Sequence, residues 1–141
     1  MSAFTVTQHT DLPPDETWSR LVDWPKHALH VPLTTITVRP GEPGIGAVFV
    51  ARTSLGRLGF DDPMEVAAWD PPRFCRVEKR GRVLSGWAEL SVAPQGAGSR
   101  VTWVEEVRPA RLPRFAQPLA DAAGRRLFTR VVRGLLDDRA G

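Results

Sequence analysis

Glu105 is the residue whose type and setting point most directly to chemistry. Along a strand-like run over 99–108, Val101, Trp103, Glu105 and Val107 share one face, and Thr102, Val104 and Glu106 share the other. The first face is the more apolar, so Glu105 points inward if that face lines an interior. A carboxylate in an apolar cavity loses hydration, and its pKa rises into the range where it can both give and take protons. It then needs a partner, and Arg76, with Glu78 on a run beginning at Arg73, is the candidate, placed to orient a carbonyl oxygen. The same spacing also fits a Glu105 at the open end of the sheet, solvated or ion-paired.

Other chemistry-bearing types give less. His27 and His30 are three apart on a short helical segment and can share a face, as paired metal ligands do. No cysteine or third nearby histidine completes a set, and Asp23 lies at the far end of the segment, so packing at a surface or cavity rim is expected and no metal or cofactor. The single Cys75 can form no internal disulfide and reads as a buried structural thiol. The chain has no tyrosine, which removes a phenolic acid or base. It carries no GxSxG, P-loop, GxGxxG before a helix, HExxH or CxxC. Whether the chain is an enzyme at all stays open.

The positioning elements can be read from period and punctuation. Ala3 to Gln8 is a short run rich in β-branched residues, hence a first strand. Pro13-Pro14-Asp15-Glu16 suits a helix start, with Trp18, Leu21 and Val22 on one face. Asp23 as a cap before Trp24-Pro25 begins a second short helix that stops before Pro32. From there to about Ala110, Gly- and Pro-rich clusters separate β-prone runs at 33–39, 46–54, 62–69, 73–80, 83–93 and 99–108. Connections this short permit only antiparallel pairing. After Pro113 the period becomes helical, with Leu119, Ala122, Ala123, Leu127, Val131 and Leu135 in a stripe flanked by Phe115, Phe128 and Val132.

Seven strands, two short helices and one long amphipathic helix give an α+β fold in which a curved antiparallel sheet wraps the C-terminal helix, since no other element is large enough to cover the sheet. The space between them suits a ligand. Its expected walls are Trp24, Phe49, Met64, Val66, Trp103, Phe115, Leu119 and Phe128, read as cavity lining or core. Trp69 and Trp87 fall with Glu65 and Glu89 on the convex side, where exposure would suit a homodimer contact.

Composition sets the outer bounds. At 141 residues, 42% hydrophobic and 25% charged, the chain suits one domain with a real core. Its net charge of +3 comes from 17 Arg and 2 Lys spread among 16 acids. Arg125, Arg126, Arg130 and Arg133 form the one local excess and read as a solvent face, so no nucleic-acid partner is expected. No run approaches a membrane span and the N-terminus lacks a basic-then-apolar leader, so no membrane insertion and a cytoplasmic location are expected.

The order of elements, with Asp23-Trp24-Pro25, Gly44-Ile45-Gly46, Glu65-Val66-Ala67-Ala68-Trp69-Asp70-Pro71-Pro72-Arg73 and Gly98-Ser99-Arg100-Val101-Thr102-Trp103 at matching places, resembles the START-like or SRPBCC superfamily of polyketide cyclases, aromatase/cyclases and lipid binders. The resemblance covers nearly the whole chain and implies a helix-grip fold with a cavity. It does not imply a reaction, because members bind lipids, hormones or polyketides, or act as cyclases, on the same scaffold. A small hydrophobic or aromatic ligand held between sheet and helix is the leading expectation. A cofactor-independent cyclase or dehydratase using Glu105 and Arg76, and an interaction module with a filled cavity, are the alternatives.

Overall fold

The computed structural model describes residues 3–137. Seven strands form one antiparallel sheet: β1 (Phe4–Thr10), β2 (Thr34–Val38), β3 (Val48–Leu55), β4 (Leu58–Asp70), β5 (Phe74–Arg80), β6 (Leu84–Gln95) and β7 (Gly98–Pro109). Their spatial order is β1-β7-β6-β5-β4-β3-β2, a meander from β2 to β7 with the first strand added beside the last. This is the helix-grip α+β fold expected from the sequence.

Helix α1 (Pro14–Leu21) begins as its residues dictate, with Pro14 in the first turn, Asp15 and Glu16 beside the positive helix end, and Trp18 and Leu21 buried. The Thr17 hydroxyl donates to the Pro13 carbonyl oxygen at 2.9 Å. Helix α2 (Trp24–His27) follows directly, with Pro25 in its first turn, and continues as one 3-10 turn over Ala28–His30. Asp23 occupies the cap position but makes no capping hydrogen bond. A second 3-10 turn, Arg114–Ala116, leads into the long helix α3 (Gln117–Asp137).

Helix α3 packs against β1 and β7, and Val131, Val132, Leu135 and Leu136 are buried there. Its end is tied to α1 by Arg20, whose Nη1 donates to the Leu135 and Leu136 carbonyl oxygens at 3.3 and 3.2 Å. A cation among the last carbonyls of a helix meets its negative end. At Gly134 the turn after α2 lies against α3, and a Cβ there would overlap the His30 ring.

One irregularity changes a face. The register of β4 on β5 shifts between Val66 and Ala68, so Trp69 pairs with Cys75. A strand that gains a residue reverses its alternation beyond that point. Trp69, expected on the convex side with Glu65, therefore turns to the inner face and meets Trp18 edge-on at 5.2 Å. Trp87 does lie on the convex face, half-buried beneath the Arg76 guanidinium, which sits 4.7 Å above its ring.

Candidate functional site

A cavity of about 400 Å³ lies between the concave face of the sheet and helices α2 and α3. Alternation builds its wall. Phe49, Ala51 and Thr53 from β3, Asp62 and Met64 from β4, Val77 and Lys79 from β5, Ala88 and Leu90 from β6, and Trp103, Glu105 and Val107 from β7 all point to it. Trp24 from α2 stacks on Phe49 with centroids 4.5 Å apart and planes 10° from parallel. Trp103 stacks on Phe128 of α3 at 5.0 Å. Two stacked aromatic pairs thus form much of a wall that is otherwise mostly aliphatic.

Helix α3 leaves this space open because its cavity face is small in its first half. Ala120 and Gly124 line the cavity there, followed by Leu127 and Phe128. Leu119, expected on that wall, points away and is 75% exposed. The stripe is set one residue later than the bulkiest side chain suggests. Phe115, also expected on the wall, sits in the 3-10 turn before α3 and is 85% exposed, since that turn lies outside the helical phase. Val66 faces inward and is 1% exposed, but it packs into the core beside the cavity rather than lining it. Trp24, Phe49, Met64, Trp103 and Phe128 are on the wall as the residue pattern indicates.

The charged groups of the wall are three side chains that lie together. Lys79 Nζ donates to Asp62 Oδ2 at 2.6 Å and stands 3.9 Å from Glu105 Oε2. The Trp103 indole N–H donates to Glu105 Oε1 at 2.8 Å. The side chains of Lys79, Asp62 and Glu105 are 7%, 8% and 2% exposed, so the group is enclosed. Asp62 Oδ1 is buried and has no hydrogen-bond partner among the described residues.

The sheet makes this cluster possible by leaving space on β6. Lys79 pairs across to Gly86, and Glu105 pairs to Ala88. With no side chain and one methyl on the strand between them, the lysine can reach toward β7. Gly86 has φ 126°, and a Cβ there would overlap the Glu106 carbonyl oxygen, so only glycine fits.

Burial pushes the Glu105 carboxyl above its ordinary value. Lys79 and the Trp103 N–H oppose the shift, and the Asp62 charge adds to it. The result is a carboxyl group that holds its proton more readily than an exposed glutamate. His27, also on the wall, is held neutral: burial lowers its pKa to about 4 against the opposing hydrogen bond from Nε2–H to the Leu21 carbonyl oxygen, 2.7 Å long, and the Asp23 charge. It is buried at the cavity and not at the surface. Burial likewise pushes the Cys75 thiol up to about 12, as suits a packing residue rather than a nucleophile.

Arg76, expected to face Glu105, lies on the opposite side of the sheet. Its Nη1 donates to Glu89 Oε2 at 2.7 Å, and its Nε is 3.6 Å from Glu78 Oε2. Cys75 and Val77 are the inward residues of β5, so alternation sends Arg76 out and Lys79 in. That same alternation was the signal for Lys79, and Met64 and Val66 gave the equivalent signal for Asp62. Both carry charge on an otherwise apolar face, which is why composition alone passes over them. No group of three or more His, Cys, Asp or Glu side chains is arranged to hold a metal ion among the described residues. Nor is any helix among them long and apolar enough to cross a membrane.

Comparison with known proteins agrees with this architecture. TTHA0849 from Thermus thermophilus superposes with a TM-score of 0.79 at 13% identity, over 96% of this chain and 95% of that one. The ZhuI aromatase/cyclase from Streptomyces sp. R1128 gives 0.73 at 16% identity, over 96% and 91%. The di-domain ARO/CYC BexL from the BE-7585A biosynthetic pathway gives 0.71 at 13% identity, with 98% of this chain covering 50% of that one. At these identities the likeness is one of fold. No curated protein gives a significant match in sequence. The family profile described as polyketide cyclase / dehydrase and lipid transport matches residues 1–139, and with the helix-grip fold this places the chain in that family.

Proposed function

We propose that the chain binds one small hydrophobic or aromatic molecule in the cavity between its sheet and α3. The observation that carries this reading is a space of about 400 Å³, walled mostly by stacked aromatic pairs and aliphatic side chains, with its charged groups gathered in one corner. Ligand pockets characteristically combine a mostly apolar lining with a few converging polar groups. Membership of a family described by cyclases, dehydrases and lipid transport supports it.

The test is uptake of the neutral fluorescent probe N-phenyl-1-naphthylamine, together with native mass spectrometry of the purified protein. Ala88 faces the cavity from the middle of β6. Ala88→Phe should fill the space and weaken probe binding by about tenfold or more, at a cost of about 1–3 kcal/mol in stability because the ring also enters the gap through which Lys79 reaches toward Glu105. Equal uptake by both proteins would show that the probe binds elsewhere and would remove the support for an internal site.

A second reading is favoured by Glu105 specifically. A buried carboxyl that holds its proton more readily than an exposed one, beside a lysine and facing an apolar space, can act as a general acid toward a ligand carbonyl and as base in a following step, as cyclisation or dehydration requires. No cofactor enters this scheme, and Arg76 has no part in it. Under this reading Glu105→Gln lowers turnover of a carbonyl substrate by about 10² or more while ligand affinity stays within a few-fold. Turnover that survives the substitution would remove Glu105 from the chemistry and overturn this reading.

A further inference from the structure

Asp62 is a buried carboxylate with one oxygen used and one idle. Oδ2 takes the Lys79 ammonium at 2.6 Å, whereas Oδ1 is buried without any hydrogen-bond partner among the described residues. A buried acceptor left unpaired is costly, and in an ionised carboxylate more so than in an amide. Asp62 lines the cavity, so a molecule occupying that space lies beside its carboxylate, and a small rotation of that group would bring the idle oxygen to it. What it must bring is a hydrogen-bond donor.

The neighbours restrict the kind of donor. Lys79 already supplies a cation to the same carboxylate, so a ligand ammonium at Oδ1 would face a like charge in an enclosed, poorly screened site. An anionic ligand would meet Asp62 itself, and Glu105 beyond Lys79. A neutral hydroxyl satisfies Oδ1 without adding charge. Apart from His27, Thr34 and Thr53 the rest of the lining is aromatic and aliphatic, with the Trp24–Phe49 and Trp103–Phe128 pairs offering stacked ring faces, so the body carrying that hydroxyl should be apolar and flat.

We infer that the cavity is selective for neutral, flat apolar molecules bearing a hydroxyl group, whose O–H donates to Asp62 Oδ1. This rests on the binding function proposed above and adds a ligand class and a selecting residue to it. The contact is charge-assisted and desolvated, the combination in which losing a donor is felt most.

The experiment compares four ligands of one ring system by calorimetric titration or displacement of N-phenyl-1-naphthylamine: 2-naphthol, 2-methoxynaphthalene, naphthalene and 2-naphthylmethylammonium. The expected order places 2-naphthol about 10- to 100-fold tighter than its methyl ether, with the ammonium compound weaker than 2-naphthol. In Asp62→Asn, which keeps shape but removes the charge, the preference for 2-naphthol over the ether should contract toward a few-fold while naphthalene affinity is unchanged. If that variant does not fold, the ligand series on the unaltered protein still decides. Equal binding of 2-naphthol and 2-methoxynaphthalene overturns the hydroxyl inference while leaving the apolar site intact. Tighter binding of the ammonium compound overturns it in favour of a cationic ligand. Failure of every naphthyl compound, naphthalene included, counts instead against the binding function itself.

Discussion

Lys79→Met should destabilise the fold by about 3–5 kcal/mol, the cost of leaving a buried charge without its partner. Lys79 and Asp62 are each over nine-tenths buried, and the ammonium sits 2.6 Å from the carboxylate. Methionine replaces most of the lysine's volume, so the loss is electrostatic rather than a cavity effect. Removing the lysine also strips Glu105 of the charge that holds its carboxyl down against burial. The double variant Asp62→Leu/Lys79→Met should recover most of the stability, because exchanging a buried ion pair for apolar residues of similar size is often neutral or better. Urea unfolding of the unaltered protein, the two single variants and the double variant gives the coupling directly. A single Lys79→Met that unfolds like the unaltered protein would mean that the pair is open to water.

Acid stability should be governed by His27. Its folded pKa of about 4 lies below its ordinary 6.5, so between those values the unfolded chain takes up a proton that the folded chain refuses. Its contribution is therefore complete above pH 6.5 and is lost as the pH falls toward 4, an effect of about 3 kcal/mol. Glu105 works in the opposite sense. Its carboxyl is raised, so the folded state keeps a proton that the unfolded chain gives up above 4.5, and that advantage disappears as the pH rises through the folded value. In His27→Gln, whose amide can still donate to the Leu21 carbonyl oxygen, the fall in urea midpoint between pH 6.5 and 4 should largely vanish. Parallel profiles for the two proteins would assign the acid loss to other groups.

The residue pattern carries the fold because every element has a periodic signal longer than its ambiguity. Glu105 is legible for the same reason: Val101 and Trp103 precede it on its own face, and both are buried. The errors fall where period is too short or is broken. Trp69 lies beyond a register shift that alternation cannot foresee. On α3 the cavity face begins with Ala120 and Gly124, and reading bulk as burial selects Leu119 instead. Charge pairs Arg76 with Glu105, although Cys75 and Val77 on the same strand place it outside. Asp62 and Lys79 escape notice because each interrupts an apolar face, and because the contact from Lys79 to Glu105 passes over β6 to a strand that is not its neighbour. Only the three-dimensional arrangement brings those groups together.

The strand order has a consequence for how the chain folds. β1 has a single neighbour, β7, and Phe4 lies opposite Glu105 in that ladder. The first strand thus has nothing to pair with until β7, which begins at Gly98, is available, and closing so long a loop is entropically slow. Phe4 also rests on Phe128 at 6.0 Å. The water shed around Glu105 must accordingly leave at a late stage, when the two extremities of the chain meet.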